Sequence, residues 1–248
     1  MSIIKTIKKK IRGIGKRVGI MDDFEWSNYY EDEYSKQIFD LEKQHSLVLP
    51  DGKYNIIDGS IILDNGVLPL HENHKDLYEL FLNLQPNSIL EVGCGGGDHL
   101  TNIRKLMPTV KLKGFDLSQK QLSFLFNRHP QLKEVVDVFV QDLTSFNYKN
   151  VKADLVFTQA VLMHIERRKF YIQALKNIFS STNKIVVLVE NWDRRDYIKD
   201  IKELFNSQNL PWKNLYFYTT NKKIPLIISH IPLSGFKKIE NNQELLSK

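Results

Sequence analysis

An acidic residue and three glycines at alternating positions form the part of the sequence best suited to binding a ligand. They are Glu91, Gly93, Gly95 and Gly97, at the junction of an apolar run with a helical pattern. Glycines at such a junction allow a sharp turn and let a ligand approach the backbone, as nucleotide-binding loops do. The dinucleotide fingerprint GxGxxG does not fit, because Asp98 and Leu100 occupy the positions where it needs glycine or alanine.

Polar side chains also follow the next three predicted strands. Asp116 closes the second, at about the spacing at which a carboxylate can accept hydrogen bonds from ribose hydroxyls. Asp142 closes the third, and Gln159 and His164 follow the fourth. An aspartate at a strand end can instead cap the following helix, and this alternative stays open for both aspartates.

Together these positions resemble the class I S-adenosylmethionine-dependent methyltransferases over roughly residues 75 to 190. The resemblance implies S-adenosyl-L-methionine as the cofactor. It also implies an α/β fold, a doubly wound, Rossmann-like, mostly parallel seven-stranded sheet with an N-terminal helical and hairpin extension. The implied cofactor contacts are Glu91, Gly93, Gly95, Gly97, Asp116, Leu117, Asp142, Leu143 and Gln159.

Three regions are predicted from the pattern of elements. Residues 75–248 alternate strands with helices, which predicts parallel pairing and one methyltransferase domain. Residues 22–74 combine a helical pattern with Asp-Gly and Asn-Gly turns, and we predict that they form a helical and hairpin lid. Residues 1–21 carry seven Lys or Arg and no acid, with isoleucines spaced three and four apart. This is a basic amphipathic segment, which either contacts an anionic membrane surface or docks on its own protein.

The composition indicates a soluble globular chain. Hydrophobic residues make up 42% and charged residues 26%, and the net charge of +6 is accounted for by residues 1–21. The lone Cys94 and the absence of a signal-like apolar stretch predict a cytoplasmic protein, with peripheral attachment to the inner membrane face as an option. The oligomeric state does not follow from the sequence.

Methyl transfer needs orientation and, for a neutral hydroxyl, a base. His164 is the predicted base, with packing or helix capping as its alternative role. The layout is similar to that of methyltransferases of bacterial capsule and surface-polysaccharide pathways. That similarity implies O-methylation of a small, phosphorylated or nucleotide-activated sugar or phosphoramidate. The predicted acceptor contacts are Tyr29, Tyr30, His71, Arg167 and Arg168.

Other substrates and functions are disfavoured. Thr158-Gln159-Ala160-Val161 departs from the Asp-Pro-Pro-Tyr-like motif of nucleic-acid amino methyltransferases, which argues against base methylation. Thr158 and Gln159 also replace the first acidic ligand of metal-dependent catechol-type enzymes, so no metal is predicted. RNA methylation and a non-catalytic membrane-associated scaffold stay as alternatives.

Overall fold

A computed structural model describes residues 35–246, which hold seven α-helices and ten strands. The helices are α1 (Ser35–Glu42), α2 (Glu72–Leu84), α3 (Asp98–Leu106), α4 (Gln119–Arg128), α5 (Arg168–Ser180), α6 (Tyr197–Asn206) and α7 (Gln243–Leu246). The strands are β1 (Tyr54–Ile57), β2 (Ser60–Leu63), β3 (Ser88–Val92), β4 (Lys111–Asp116), β5 (Asp137–Val140), β6 (Ala153–Gln159), β7 (Thr182–Val189), β8 (Tyr216–Thr219), β9 (Leu226–Ser229) and β10 (Lys237–Lys238). Short 3-10 helices span Pro130–Glu134 and Leu162–His164.

Eight strands form one sheet in the order β10-β8-β9-β7-β6-β3-β4-β5. Strands β3 to β7 pair in parallel, and β8, β9 and β10 extend the β7 side by antiparallel pairing. The chain runs outward from β3 through β4 to β5 and then returns to place β6 on the other side of β3. The strand order therefore reverses between β3 and β6, which is where open α/β sheets bind ligands at the carboxyl ends of their strands.

Apolar side chains cover both faces of the sheet, which explains why its central strands read as nearly continuous hydrophobic runs. On one face, Leu77 of α2, Leu100 of α3 and Leu125 of α4 belong to a single buried layer. On the other face, Tyr171 of α5 and Ile201 of α6 belong to a second layer. The two layers hold β3 and β6 between them and so fix the edge that carries the polar residues.

The predicted fold class is confirmed. The sheet has one strand more than the seven expected, because the two-residue strand β10 pairs with Tyr218 and Thr219 of β8. The predicted hairpin region contains the antiparallel pair β1 and β2, in which Ile61 of β2 is buried and its N–H donates to Glu79 of α2 at 2.9 Å. The basic segment 1–21 and the first part of the predicted lid lie outside the described residues.

In residues 35–246, no helix combines the length and the hydropathy that crossing a membrane would require.

Candidate active site

A cavity of about 710 Å³ lies at the carboxyl ends of β3, β4, β5 and β6. Its lining residues fall into two groups by element. The first comes from the glycine loop and from the residues that follow β4 and β5, and the second from α1, α2, the first turn of α3 and the loop after β6. We call these groups the cofactor end and the acceptor end.

The glycine loop has a backbone that only glycine adopts without strain. Gly93, Gly95 and Gly97 have φ angles of 71°, 48° and 80°, in the left-handed region. A Cβ on Gly93 would lie 2.5 Å from Cγ2 of Val161, and one on Gly97 would lie 2.4 Å from Cγ of Leu125. Backbone conformation thus favours glycine at all three positions, and side chains packed against the loop also require it at Gly93 and Gly97.

Asp116 ties the end of β4 to the glycine loop. Its Oδ2 accepts a hydrogen bond from the Gly95 N–H at 3.0 Å and its Oδ1 accepts one from the Ser118 N–H at 2.9 Å. Burial raises the pKa of this carboxyl, although these N–H groups oppose the rise. Ser118, not Asp116, is the N-cap of α4. A carboxylate oxygen can accept more than one hydrogen bond, so Asp116 has capacity left for two ligand hydroxyls.

The remaining strand-end residues reach the same end of the cavity. Leu117, Asp142 and Leu143 all line it. Oδ1 of Asp142 accepts hydrogen bonds from the N–H of Thr144 at 2.7 Å and from its hydroxyl at 2.8 Å, so part of this carboxylate holds its own turn.

Some of the residues that line this cavity have a buried oxygen atom without a hydrogen-bond partner, among them Glu91 (Oε2) and Gln121 (Oε1). Burial, with the nearby charges of Asp98 and Asp116, raises the pKa of the Glu91 carboxyl well above its usual range. A buried acceptor without a donor is costly. The methionyl ammonium and hydroxyl groups of S-adenosylmethionine are donors of the kind these oxygens lack, so the residues fit the cofactor. Gln121 carries no motif, and the sequence did not single it out.

Asp98 connects the glycine loop to α4 and to α1. Its Oδ1 pairs with Nη2 of Arg128 at 2.7 Å and with Nε2 of His129 at 3.1 Å, and the same Nη2 reaches Glu42 of α1 at 2.9 Å. Burial opposes ionisation of Asp98, but the His129 hydrogen bond and the Arg128 charge hold its pKa below the usual range. Helix α1, which supplies Gln37, Ile38 and Leu41 to the cavity wall, is therefore tied to the loop.

Histidines dominate the polar surface of the acceptor end. His74, His99 and His164 line the cavity, and the ring centroids of His74 and His99 are 4.5 Å apart. Burial lowers the pKa of His74 well below its usual value and lowers that of His99 to about 4. Both imidazoles are neutral at pH 7 for this reason.

The tautomer of His99 follows from its partners. Nδ2 of Asn102 donates to the Tyr78 hydroxyl oxygen at 2.8 Å, so the Tyr78 O–H is left to donate to Nδ1 of His99, also at 2.8 Å. His99 therefore carries its proton on Nε2. Its side chain also interacts with Gln159, which raises the His99 pKa against the effect of burial.

The loop after β6 begins with a strained residue. Ala160 has φ 53°, and its N–H donates to the Val189 carbonyl at 2.9 Å. The cavity-lining residues of this loop are Ala160, Val161, Met163, His164 and Ile165. The N–H groups of Val161 and Met163 donate to Glu190, a buried residue that follows β7. No sequence motif predicted this contact.

The structure brings the predicted acceptor residues together only in part. Tyr29 and Tyr30 lie outside the described residues. His71 is the N-cap of α2, where its Nδ1 accepts from the Asn73 N–H; its ring lies 5.3 Å from that of His74, and it does not line the cavity. Arg167 is the N-cap of α5 and lies over the Phe170 ring.

The prediction for Arg168 needs a correction. Its guanidinium pairs with Asp200 at 3.0 Å and with Glu203 at 3.1 Å, both on α6. Because these acids hold it on the outer surface, Arg168 connects two helices and does not line the cavity.

Comparison with known proteins shows what part of this chain is similar to. Residues 89–184, less than half of the chain, match the family model described as "Methyltransferase domain". The chain is 30% identical over 116 residues to phosphoethanolamine N-methyltransferase 1 of Arabidopsis thaliana. That match covers 46% of this chain and 22% of that protein. It is 34% identical over 107 residues to the tRNA U34 carboxymethyltransferase of Campylobacter fetus subsp. fetus (strain 82-40). That match covers 42% of this chain and 36% of that protein. The chain thus spans less than two fifths of the length of either relative.

Solved structures show similarity over a comparable part of the chain. The O-methyltransferase of a trans-AT PKS multienzyme of Brevibacillus brevis, in complex with S-adenosyl-L-homocysteine, is 27% identical, with a TM-score of 0.38. The similarity covers 44% of this chain and 36% of that one. The family match spans the glycine loop, Asp116, Asp142, Gln159 and His164. Residues 89–184 of this protein are therefore similar to a methyltransferase domain.

Proposed function

We propose that this protein transfers a methyl group from S-adenosylmethionine to an oxygen of a small acceptor held at the acceptor end of the cavity. The observation that carries the proposal is one continuous cavity that joins unpaired cofactor-binding oxygens to a wall of neutral imidazoles. When bound, the cofactor supplies an electrophilic methyl group on a sulfonium. The protein must then bind the cofactor and the acceptor, orient them for the transfer, and exclude water from the cavity.

Cofactor binding is assigned to three groups of this chain. The glycine loop allows close approach of the backbone, Asp116 accepts from ribose hydroxyls, and Glu91 accepts from the methionyl ammonium. Asp142 and Leu143 lie beside Asp116 at the same end. This assignment is supported by the Glu91 oxygen that is buried without a donor.

His164 is assigned as the group that takes the acceptor proton. It lies at the end of the 3-10 helix after β6 and lines the cavity. A neutral hydroxyl loses its proton as the new carbon–oxygen bond forms, and an imidazole within hydrogen-bond distance can accept it.

An uncharged acceptor is favoured over an anionic one. Among residues 35–246, no Lys or Arg side chain lines the cavity, while Glu91, Asp98, Asp116 and Asp142 do. A phosphorylated acceptor would need cations, and Arg168, proposed for that purpose from the sequence, pairs with α6. The narrower assignment to phosphorylated or nucleotide-activated sugars of surface-polysaccharide pathways is supported by sequence resemblance alone.

The test has two arms. Calorimetry with S-adenosyl-L-homocysteine measures cofactor binding without any acceptor, and we expect one site per chain. Formation of S-adenosyl-L-homocysteine is then measured against a panel of neutral hydroxyl compounds, amines, phosphorylated sugars, phosphoramidates and RNA. Turnover with neutral hydroxyl compounds supports the proposal. Absence of cofactor binding would overturn it, and turnover confined to phosphorylated compounds or RNA would overturn the acceptor class.

A further inference from the structure

The Glu190 carboxylate accepts four hydrogen bonds from one short segment. Oε1 accepts from the Thr158 hydroxyl at 2.8 Å, the Val161 N–H at 3.0 Å and the Leu162 N–H at 3.2 Å. Oε2 accepts from the Met163 N–H at 3.1 Å. Glu190 is 8% exposed, and burial raises its pKa although these donors oppose the rise. One side chain thus satisfies three consecutive N–H groups at the start of the Leu162–His164 turn.

Two arginines that follow Glu190 in the chain hold the other end of that turn. Arg195 donates to the Ile165 carbonyl and, at 3.3 Å, to the Glu166 carbonyl, and its guanidinium lies 4.2 Å from the Tyr171 ring centroid. Arg194 donates to the Met163 carbonyl at 3.3 Å. An anion at the N–H end and cations at the carbonyl end match the dipole of the turn.

This loop also contacts the cofactor end. Val161, whose N–H is bound by Glu190, packs so closely on Gly93 that a Cβ there would lie 2.5 Å from its Cγ2. Ala160, immediately before Val161, is held at φ 53°. A conformation of this kind persists only where its surroundings enforce it.

We propose that Glu190 is a positioning residue of the methyl-transfer site. Its carboxylate fixes residues 160–165 against the glycine loop and thereby sets the place of His164 relative to the cofactor. The inference rests on the proposed function and extends it, since Glu190 acts through the loop and does not itself line the cavity.

Glu190→Gln tests the proposal, because it keeps the shape of the side chain but places an NH₂ group against N–H donors. We expect about 10-fold weaker binding of S-adenosyl-L-homocysteine, through the Val161 contact with Gly93. We also expect a shifted His164 imidazole signal in ¹H–¹⁵N NMR spectra of the full chain. Glu190→Asp, which keeps the charge, should recover part of the affinity.

Asp76→Asn is the matched control. Asp76 is also buried, also has a raised pKa because of burial, and accepts from a threonine hydroxyl, Thr220, at 2.6 Å, but does not line the cavity. It should lose stability while its ligand affinity stays within about twofold of wild type and its His164 signal is unchanged. If Glu190→Gln does not fold, Thr158→Val removes one of the four bonds and should weaken binding about two- to fivefold.

The outcomes separate this inference from the proposed function. Wild-type affinity and an unchanged His164 signal in a folded Glu190→Gln or Thr158→Val protein would overturn the role of Glu190 alone. A wild-type protein that does not bind S-adenosyl-L-homocysteine overturns the proposed function. The His164 signal then still reports whether Glu190 positions the loop.

Discussion

The two ends of the cavity are built in different ways. The cofactor end comes mostly from one short loop and from residues directly after β4 and β5, so its main groups lie at the carboxyl ends of adjacent parallel strands. The acceptor end is assembled from α1, α2, α3 and the loop after β6, and Glu190 holds that loop from a different strand. The first is carboxylate-rich and backbone-lined, whereas the second presents neutral imidazoles and apolar side chains.

This difference implies separable functions. Changes at the cofactor end should alter the affinity for S-adenosyl-L-homocysteine whether or not an acceptor is present. Changes to side chains that line the acceptor end without holding the glycine loop, such as His164, should alter turnover and leave that affinity largely intact. The variants below test this separation.

His164→Ala should have the largest effect. If His164 accepts the acceptor proton, the turnover rate falls by about 10² to 10⁴. The wild-type rate should rise with pH as the imidazole loses its proton, and the variant should show a slow, flat profile. The rate of S-adenosyl-L-homocysteine formation as a function of pH measures this, and calorimetry should show unchanged cofactor affinity. Near-normal kcat/KM at every pH would remove His164 from the chemistry, and a slow variant with an unchanged profile shape would make it an orienting residue.

Asp116→Ala should mainly affect cofactor binding. It removes the acceptor for ligand hydroxyls and also the bond to the Gly95 N–H, at a cost of about 2 to 4 kcal/mol of binding free energy. Calorimetry with S-adenosyl-L-homocysteine measures the loss, and Asp116→Asn should lose less because its oxygen still accepts. Unchanged affinity in a folded Asp116→Ala protein would contradict the assignment of the cofactor end.

The sequence predicted the cofactor end better than the acceptor end for a physical reason. Gly93, Gly95 and Gly97 are needed where they stand because of local backbone geometry, and the alternation of strands with helices places Asp116 and Asp142 at one edge. The partners of the acceptor end are distant in sequence. No local pattern shows that Glu190 would hold the loop at Val161 to Met163.

The two arginines after the fourth strand illustrate the same limit. Arg167 and Arg168 were predicted to face an anionic acceptor because they stand near the site in sequence. Arg168 instead meets Asp200 and Glu203, which become its neighbours only when α5 packs beside α6. A charged residue on an amphipathic helix takes its partner from tertiary packing, and periodicity alone does not identify that partner.

Acid should destabilise the fold through the acceptor end. The folded His99 pKa is lowered to about 4 by burial, whereas the unfolded side chain titrates at its ordinary value. Between these values the unfolded chain binds a proton that the folded chain does not, so stability falls as pH drops through that interval. The His99 contribution is at most about 3 kcal/mol, and the loss from this group stops below pH 4. Urea unfolding at pH 7 and pH 4.5, with NMR titration of His99, measures it. If His99 instead titrates near the ordinary histidine value, the interpretation that this imidazole is held neutral by burial is contradicted.

Glu42→Gln should have the smallest effect, at a second contact that links the two ends. Glu42 reaches Arg128, which also holds Asp98 beside the glycine loop, so the pair ties α1 to the cofactor end. Glu42 is 38% exposed, and such a pair is worth about 0.2 to 1 kcal/mol. Loss of this ion pair should speed dissociation of S-adenosyl-L-homocysteine up to about fivefold in stopped-flow measurements, because Ile38 and Leu41 then cover the cavity less firmly.

Asp40→Asn is the control, since Asp40 pairs with Lys43 on the surface of the same region. Added salt should speed dissociation in wild type and have less effect in Glu42→Gln. Equal dissociation rates in all three proteins would show that α1 shapes the acceptor end without retaining the cofactor.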